Sequence, residues 1–76
     1  MTLKEQIISD INTEPIILYM KGTKEMPMCG FSSTAVKILN MHDVEYKTIN
    51  ILDDHEIRIK LSEFSKWPTI PQLFVN

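Results

Sequence analysis

The sequence is poor in cysteine, and Cys29 is the only one among 76 residues. A lone cysteine cannot form an internal disulfide, so we expect a protein of the cytoplasm or of another reducing intracellular compartment. The two-thiol cycle of a Cys-x-x-Cys oxidoreductase is also excluded, because a mixed disulfide on Cys29 would meet no second thiol in the chain. Any chemistry of Cys29 therefore proceeds without an internal partner.

Long apolar runs and basic clusters are missing as well. The longest apolar run, from Ile16 to Met20, is far too short to span a bilayer, and Met1 to Asp10 lack the pattern of a secretory signal. The formal net charge is -2 and the lysines are scattered, which gives no electrostatic footprint for nucleic acid or anionic lipid. We therefore expect neither nucleic acid nor a membrane as a partner.

What is present is the composition of one small globular domain. Hydrophobic residues make up 43% and charged residues 24% of the 76, a balance that favours a folded chain over a disordered one. A chain of this length can build a single core and no second domain. There are no repeats, linkers or low-complexity segments.

Helix patterns alternate with strand patterns along the chain. Thr2 and Glu5 have capping-box spacing before the apolar stripe of a first helix. Asp53 and Glu56 have the same spacing before the apolar stripe of a third helix. The continuous apolar run at 16–20 favours a central strand that is buried on both faces. The predicted elements are a helix ending near Asn12, a strand at 16–20, a helix at 29–41, a strand at 44–51, a helix carrying Ile57, Leu61 and Phe64, and a strand at 72–75.

This order predicts an α/β domain. A helical crossover between the first two strands makes them parallel neighbours. The chain ends at Asn76, directly after the third strand, with nothing behind it to cover that strand's outer edge. We therefore expect residues 1–76 to form a single domain that is incomplete at its C-terminus.

Cys29 follows a loop containing Lys21 and Lys24 and stands where the second helix begins. The unpaired N–H groups and the positive dipole end of a helix stabilise a thiolate, so this position predicts a lowered pKa for the thiol. The alternative is an inert buried cysteine, and position alone does not decide between the two.

Three segments together carry a family resemblance. They are Lys21-Gly22-Thr23, Cys29-Gly30-Phe31-Ser32 and Trp67-Pro68-Thr69-Ile70-Pro71-Gln72. In order and separation they resemble the monothiol glutaredoxins of the CGFS type, within the thioredoxin superfamily. The resemblance implies a thioredoxin-like fold, with a mixed sheet and flanking helices. It also implies truncation, since the family's pattern continues past Asn76 with a fourth strand, a Gly-Gly-x-Asp segment and a closing helix.

The same resemblance implies a glutathione site. In it, Cys29 is the active-site thiol and the iron ligand, and Lys21 and Arg58 pair with a carboxylate of glutathione. The Ile70 backbone pairs with the tripeptide as an added strand would, and Pro71 matches the family's cis-proline.

Two of these assignments have plainer alternatives, and Thr69 is a further candidate with two possible roles. Lys21 could be a solvated loop lysine, and Arg58 could pair with Asp54 on the helix surface. Thr69 either contacts glutathione through its side chain or carbonyl, or only shapes the turn before Pro71. Other residues are assigned to packing or to the surface: Phe64 and Trp67 to the core, Met26 and Met28 to loop packing, His42 and His55 to the surface.

Two functions of Cys29 stay open at this point. A [2Fe-2S] cluster usually takes four thiolates, so one cysteine per chain points to a cluster-bridged homodimer completed by two glutathiones. The resemblance implies an iron-sulfur carrier that hands its cluster to recipient apoproteins and has at most weak oxidoreductase activity. The alternative is a monothiol glutathione-disulfide oxidoreductase that removes glutathione from mixed disulfides through Cys29. A purely structural domain with a buried cysteine is the third possibility.

Overall fold

Three helices alternate with three strands in the computed structural model, which describes residues Met1–Asn76. The elements are α1 at Leu3–Thr13, β1 at Ile16–Met20, α2 at Gly30–Met41, β2 at Lys47–Asn50, α3 at His55–Ser65 and β3 at Gln72–Val75. The predicted order is confirmed, and β1 and β3 have the predicted bounds. None of the three helices is long and apolar enough to cross a membrane.

The sheet is mixed, with strand order β2-β1-β3. The central strand β1 runs parallel to β2, with Ile17 opposite Lys47, and antiparallel to β3, with Ile17 opposite Phe74. Both the central position of β1 and its parallel pairing with β2 were predicted. The predicted strand at 44–51 was too long, since β2 covers only Lys47–Asn50. In the parallel register, residues 44 and 45 lie opposite residues 14 and 15, before the start of β1, and Pro15 has no N–H for a ladder.

Alternate side chains of β1 supply two cores on opposite faces of the sheet. Ile17 and Tyr19 pack with residues of α1 and α3, while Leu18 and Met20 pack with residues of α2. From Ile17 to Met20 no residue of β1 is more than 1% exposed. Full burial of one such aliphatic side chain contributes about 1.5–3 kcal/mol, so β1 organises the whole domain.

The two predicted capping boxes had different outcomes. At α1 the box is present, since the Glu5 N–H donates to Thr2 Oγ1 at 3.1 Å and the Thr2 N–H donates to Glu5 Oε1 at 3.0 Å. At α3 the prediction was wrong by one residue. Asp54 is the N-cap and accepts from the Glu56 N–H at 3.0 Å, because the adjacent carboxylates allow capping in either register.

The assignment of Trp67 and Phe64 to the core was also wrong. α3 ends at Ser65, and Lys66 takes the left-handed conformation with φ of 61°. The chain therefore leaves the helix before Trp67, whose side chain is 60% exposed. Phe64 is 36% exposed and lies at the edge of the core, with its ring centroid 6.3 Å from that of Phe74.

Candidate functional site

A short hairpin precedes Cys29 and returns the chain to the end of β1. Thr23 and Met26 exchange backbone hydrogen bonds of 3.1 Å, and the Met28 N–H donates to the Lys21 carbonyl at 2.9 Å. Gly22 makes this turn possible, since its φ is +92° and a Cβ there would lie 2.4 Å from the Met26 oxygen. The hairpin thus brings Cys29 back beside Lys21.

Lys24 anchors the hairpin to the segment before β2. Its Nζ donates to the Tyr46 carbonyl at 2.7 Å and lies 4.0 Å from the centroid of the Tyr46 ring. The Lys24 ammonium is therefore engaged by the carbonyl and the ring of Tyr46, although its place in the sequence before Cys29 had made it a candidate cation for the thiol. Lys24 therefore holds the loop, and the cation acting on the thiol is Lys21.

Cys29 is the N-cap residue of α2 and is partly exposed. Its pKa is lowered from the ordinary thiol value, chiefly by the backbone N–H of Ser32. The backbone N–H of Phe31, the Ser32 hydroxyl and the charge of Lys21 add to this, and partial desolvation opposes it. The predicted thiolate-stabilising helix start is confirmed, and the alternative of a buried cysteine does not hold.

Ser32 links the thiol to the sheet, a role that the sequence reasoning missed. Its side chain is fully buried, and its Oγ accepts from the Lys21 N–H at 3.1 Å while the hydroxyl lowers the pKa of Cys29. A serine three residues after an N-cap is well placed for such a contact, because the N-cap and N3 side chains face one another. That spacing was the signal available in the sequence.

Lys21 and Arg58, which are far apart in sequence, line one groove. This groove has a volume of about 390 Å³, and its walls come from the loop before Cys29, the end of β2 and the start of α3. The lining residues are Lys21, Met28, Ile51, Leu52, His55 and Arg58. The predicted surface position of His55 is confirmed, since the residue is exposed, but its place in this groove with Lys21 and Arg58 was not foreseen.

Arg58 connects α3 to the segment that leads into β3. Its guanidinium donates to the Pro68 carbonyl at 3.3 Å. The alternative pairing with Asp54 does not form, because the Asp54 carboxylate is turned to the Glu56 N–H at the helix start. Arg58 is thus held by a carbonyl and keeps its charge free of any carboxylate in the chain.

Thr69, Ile70 and Pro71 lie in a second groove, of about 470 Å³. Its other walls are Phe31, Thr34, Ala35 and Ile38 of α2. The Ile70–Pro71 bond is cis, as the resemblance implies. The Thr69 carbonyl accepts from Gln72 Nε2 at 3.0 Å, which agrees with a role in shaping the turn.

The two grooves lie on either side of Cys29 in the chain, since Met28 lines the first and Phe31 the second. The structure therefore brings Lys21 and Arg58 together in one place and Thr69, Ile70 and Pro71 in another. No group of three or more His, Cys, Asp or Glu side chains is placed to hold a metal ion. A cluster on Cys29 would need its remaining ligands from other molecules.

Comparison with known proteins gives the family. The family model described as Glutaredoxin matches residues 16–76, which is most of the chain. The chain belongs to the glutaredoxin family. All three motifs, from Lys21-Gly22-Thr23 to the segment ending at Gln72, lie wholly inside the matched region.

Curated relatives of this glutaredoxin are monothiol glutaredoxins, as the resemblance predicted. The probable monothiol glutaredoxin 2 of Rickettsia prowazekii is 53% identical over 72 residues, covering 95% of this chain and 67% of that protein. The chloroplastic monothiol glutaredoxin-S14 of Arabidopsis thaliana is 45% identical over 74 residues, covering 97% of this chain and 43% of that protein. This glutaredoxin thus spans between under half and about two thirds of the length of these relatives.

Solved structures confirm the thioredoxin-like fold. A monomeric truncated mutant of Trypanosoma brucei 1-C-Grx1 superposes with a TM-score of 0.85 at 35% identity, covering 99% of this chain and 68% of that one. A buckwheat glutaredoxin–glutathione complex superposes with a TM-score of 0.83 at 20% identity, covering 96% of this chain and 64% of that one. The second likeness concerns the fold alone.

Proposed function

We propose that this glutaredoxin binds glutathione beside Cys29 and carries a [2Fe-2S] cluster as cargo for recipient apoproteins. Membership of the family supports glutathione-related redox or iron-sulfur roles in general. The observation that carries the finer proposal is a partly exposed thiol whose pKa is lowered in part by Lys21, a residue that lines one groove together with Arg58. The Cys29 thiolate would bind iron. The cations of Lys21 and Arg58 would bind the carboxylates of a thiol such as glutathione.

Glutathione is the ligand whose chemistry fits both grooves. Its carboxylates would pair with Lys21 and Arg58 in the first groove through charge-assisted hydrogen bonds. Its peptide backbone would lie along Ile70, which is next to Thr69 and Pro71 in the second. The tripeptide sulfur would then lie near Cys29, whose chain neighbours line both grooves.

The cluster proposal depends on the number of available thiolates. Cys29 is the only cysteine, and a [2Fe-2S] cluster takes four sulfur ligands. Two chains and two bound glutathiones supply that number, which makes the cluster a bridge in a homodimer. The partly exposed position of Cys29 fits such an arrangement, because ligands from other molecules need access to it.

Deglutathionylation is the second candidate function, and the lowered pKa of Cys29 also favours it. The Cys29 thiolate would attack the glutathione sulfur of a mixed disulfide, forming a Cys29–glutathione disulfide and releasing the other protein's thiolate. A second glutathione thiolate would then release Cys29 and leave as glutathione disulfide. The second glutathione takes the place of an internal second cysteine, so the cycle is complete with Cys29 alone. It also runs in a monomer.

The location of the protein stays a prediction. A single free thiol favours a reducing compartment such as the cytoplasm. The Arabidopsis relative is named as chloroplastic, so relatives are not confined to the cytoplasm.

Anaerobic reconstitution with iron, sulfide and glutathione tests the carrier proposal. We expect a visible absorbance typical of a [2Fe-2S] cluster and a dimer by size-exclusion chromatography, both lost on omitting glutathione or in Cys29→Ser. The fold of Cys29→Ser should be intact by circular dichroism, because the substitution changes little volume at a helix end. A monomer that forms no cluster but turns over a glutathionylated substrate would favour deglutathionylation instead.

A further inference from the structure

The Gln72 side chain holds the segment between α3 and β3 from the inside. Gln72 is only 7% exposed, and its Nε2 donates to the Trp67 carbonyl at 2.8 Å and to the Thr69 carbonyl at 3.0 Å. Residues 67–71 take part in no backbone-to-backbone hydrogen bond outside the helices and strands. The conformation of this segment therefore depends on side-chain donors.

The bond to Thr69 also determines where the next N–H points. The Thr69 carbonyl and the Ile70 N–H belong to one planar peptide group, which is trans and has the two groups pointing in opposite directions. With the carbonyl directed to the buried Gln72 amide, the Ile70 N–H is directed away from it. That N–H has no hydrogen-bond partner within the chain.

We propose that Gln72 is a positioning residue that presents the Ile70 N–H to the peptide backbone of glutathione. This inference rests on the proposed function, since it assigns the residue that prepares one half of the glutathione site. Gln72 does not touch the ligand and acts only through the Thr69–Ile70 peptide. Fixing the donor before binding removes the ordering cost that a free loop would add to complex formation.

The remaining atom of the amide strengthens this assignment. Gln72 Oε1 is buried and has no hydrogen-bond partner, which is an unfavourable arrangement for a polar atom. An apolar side chain of the same length would avoid it. The amide thus serves through its two donor bonds, and replacing it with methionine removes both bonds and the unpaired acceptor together. We therefore expect Gln72→Met to destabilise the fold by less than the loss of two hydrogen bonds would, because the unpaired acceptor is removed with them, while it frees the Thr69–Ile70 peptide.

The chain offers a matched control at the other end of β3. Asn76 Nδ2 also donates to backbone carbonyls, those of Ile11, Asn12 and Glu14, at 2.9, 3.1 and 3.0 Å. Asn76→Ala removes comparable bonds at the end of α1, and Asn76 lines neither groove. A general loss of structure would affect both variants, whereas loss of positioning would affect only Gln72→Met.

Two measurements test the proposal: the glutathione Kd by calorimetry, and the glutathione-induced shift of the Ile70 amide in nitrogen-15 NMR spectra. We expect Gln72→Met to raise Kd about tenfold, the effect of losing one well-placed hydrogen bond, and to abolish the Ile70 shift. Asn76→Ala should keep the glutathione Kd within about twofold of the wild-type value and should retain the Ile70 shift. Should the methionine variant not fold, Gln72→Leu, which is also apolar and has no hydrogen-bond donor, replaces it.

Unchanged Kd and an unchanged Ile70 shift in the Gln72 variant would overturn the proposal. If the wild-type chain binds no glutathione, the proposed function fails, and the inference is then decided on the free protein. Trp67 is the only tryptophan, and its carbonyl is one of the two that Gln72 holds. Its fluorescence anisotropy should fall in the Gln72 variant and not in Asn76→Ala, and equal values in all three chains would reject the positioning role.

Discussion

At the scale of single residues, the chemistry depends on how Cys29 is solvated. Its thiolate is stabilised first by the backbone N–H of Ser32, and the Ser32 hydroxyl and Lys21 contribute further. The backbone part is built into the start of α2 and persists in any sequence that forms this helix. The hydroxyl and the ammonium are side-chain contributions, which substitution can remove separately.

Ser32→Ala should therefore raise the pKa of Cys29 without restoring it fully to the ordinary value, because the Ser32 N–H remains. Since the thiolate is the reactive form, the pH profile of iodoacetamide alkylation should move to higher pH, and the rate at neutral pH should fall. Ser33→Ala is the matched control, since the Ser33 side chain makes no hydrogen bond in the fold. Identical profiles for the wild type and Ser32→Ala would remove the hydroxyl from this account.

Lys21→Ala and Arg58→Ala should each weaken glutathione binding by about 1.5–3 kcal/mol, the usual worth of a hydrogen bond to a charged group. Arg58→Ala also frees the Pro68 carbonyl, so its effect should be the larger one. Lys60→Ala is the control, because Lys60 lies on α3 and pairs at the surface with Glu63. Titration calorimetry on the three variants checks this, and equal affinities throughout would reject the carboxylate site.

At the scale of elements, the hairpin between β1 and α2 places the thiol. It depends on Gly22 for its turn and on the Lys24 contacts with Tyr46 for its attachment to the segment before β2. Its two methionines add little burial, since Met26 is 67% exposed and Met28 62%. Its shape is therefore maintained by backbone conformation more than by burial.

Gly22→Ala should destabilise the fold by at least about 1–2 kcal/mol, since a side chain is strained at positive φ and this one would also meet the Met26 oxygen. Gly30→Ala makes a matched comparison within the same active segment. A Cβ at Gly30 meets nothing within 4 Å, and alanine favours the helix, so stability should be equal or up to about 1 kcal/mol higher. Urea denaturation of both variants decides this, and similar losses in the two would contradict the account of the turn.

At the scale of the whole molecule, the sheet is covered unevenly. α1 and α3 cover one face, whereas on the α2 face Leu73 and Val75 of β3 remain 47% and 67% exposed. β3 is also one of the two edge strands, with only β1 as a neighbour. In the 76-residue polypeptide this leaves apolar surface and strand hydrogen-bonding groups open to solvent.

Extending this polypeptide after Asn76 with the fourth strand and closing helix that the family resemblance implies should raise its melting temperature. The expected cause is apolar surface covered at about 25 cal/mol per Å², together with pairing of the β3 edge. Self-association at high concentration should fall, and glutathione should bind more tightly. Thermal melts and light scattering on both lengths check this, and matching values would mean that β3 needs no such cover.

Local patterns in the sequence determined the order of the elements, the bounds of β1 and β3, the cap of α1 and the position of Cys29 at a helix start. Each of these depends on residues within one or two turns of each other, so their spacing carries the information. The errors at this level were small shifts. Asp54 replaced Asp53 as the cap of α3, and β2 is shorter than its strand-forming residues because its neighbour β1 begins after Pro15.

Beyond the pairing of Lys21 with Arg58 that the family resemblance implied, only the tertiary structure decided which distant residues share a site. Lys21 and Arg58 meet because β1 and α3 are packed around one core, and no spacing in the chain encodes that distance. Lys24 is held by Tyr46, Trp67 is exposed after a left-handed Lys66, and Gln72 is bonded to two carbonyls. Such contacts are determined by how the packed elements approach each other in space, which local sequence periodicity does not specify.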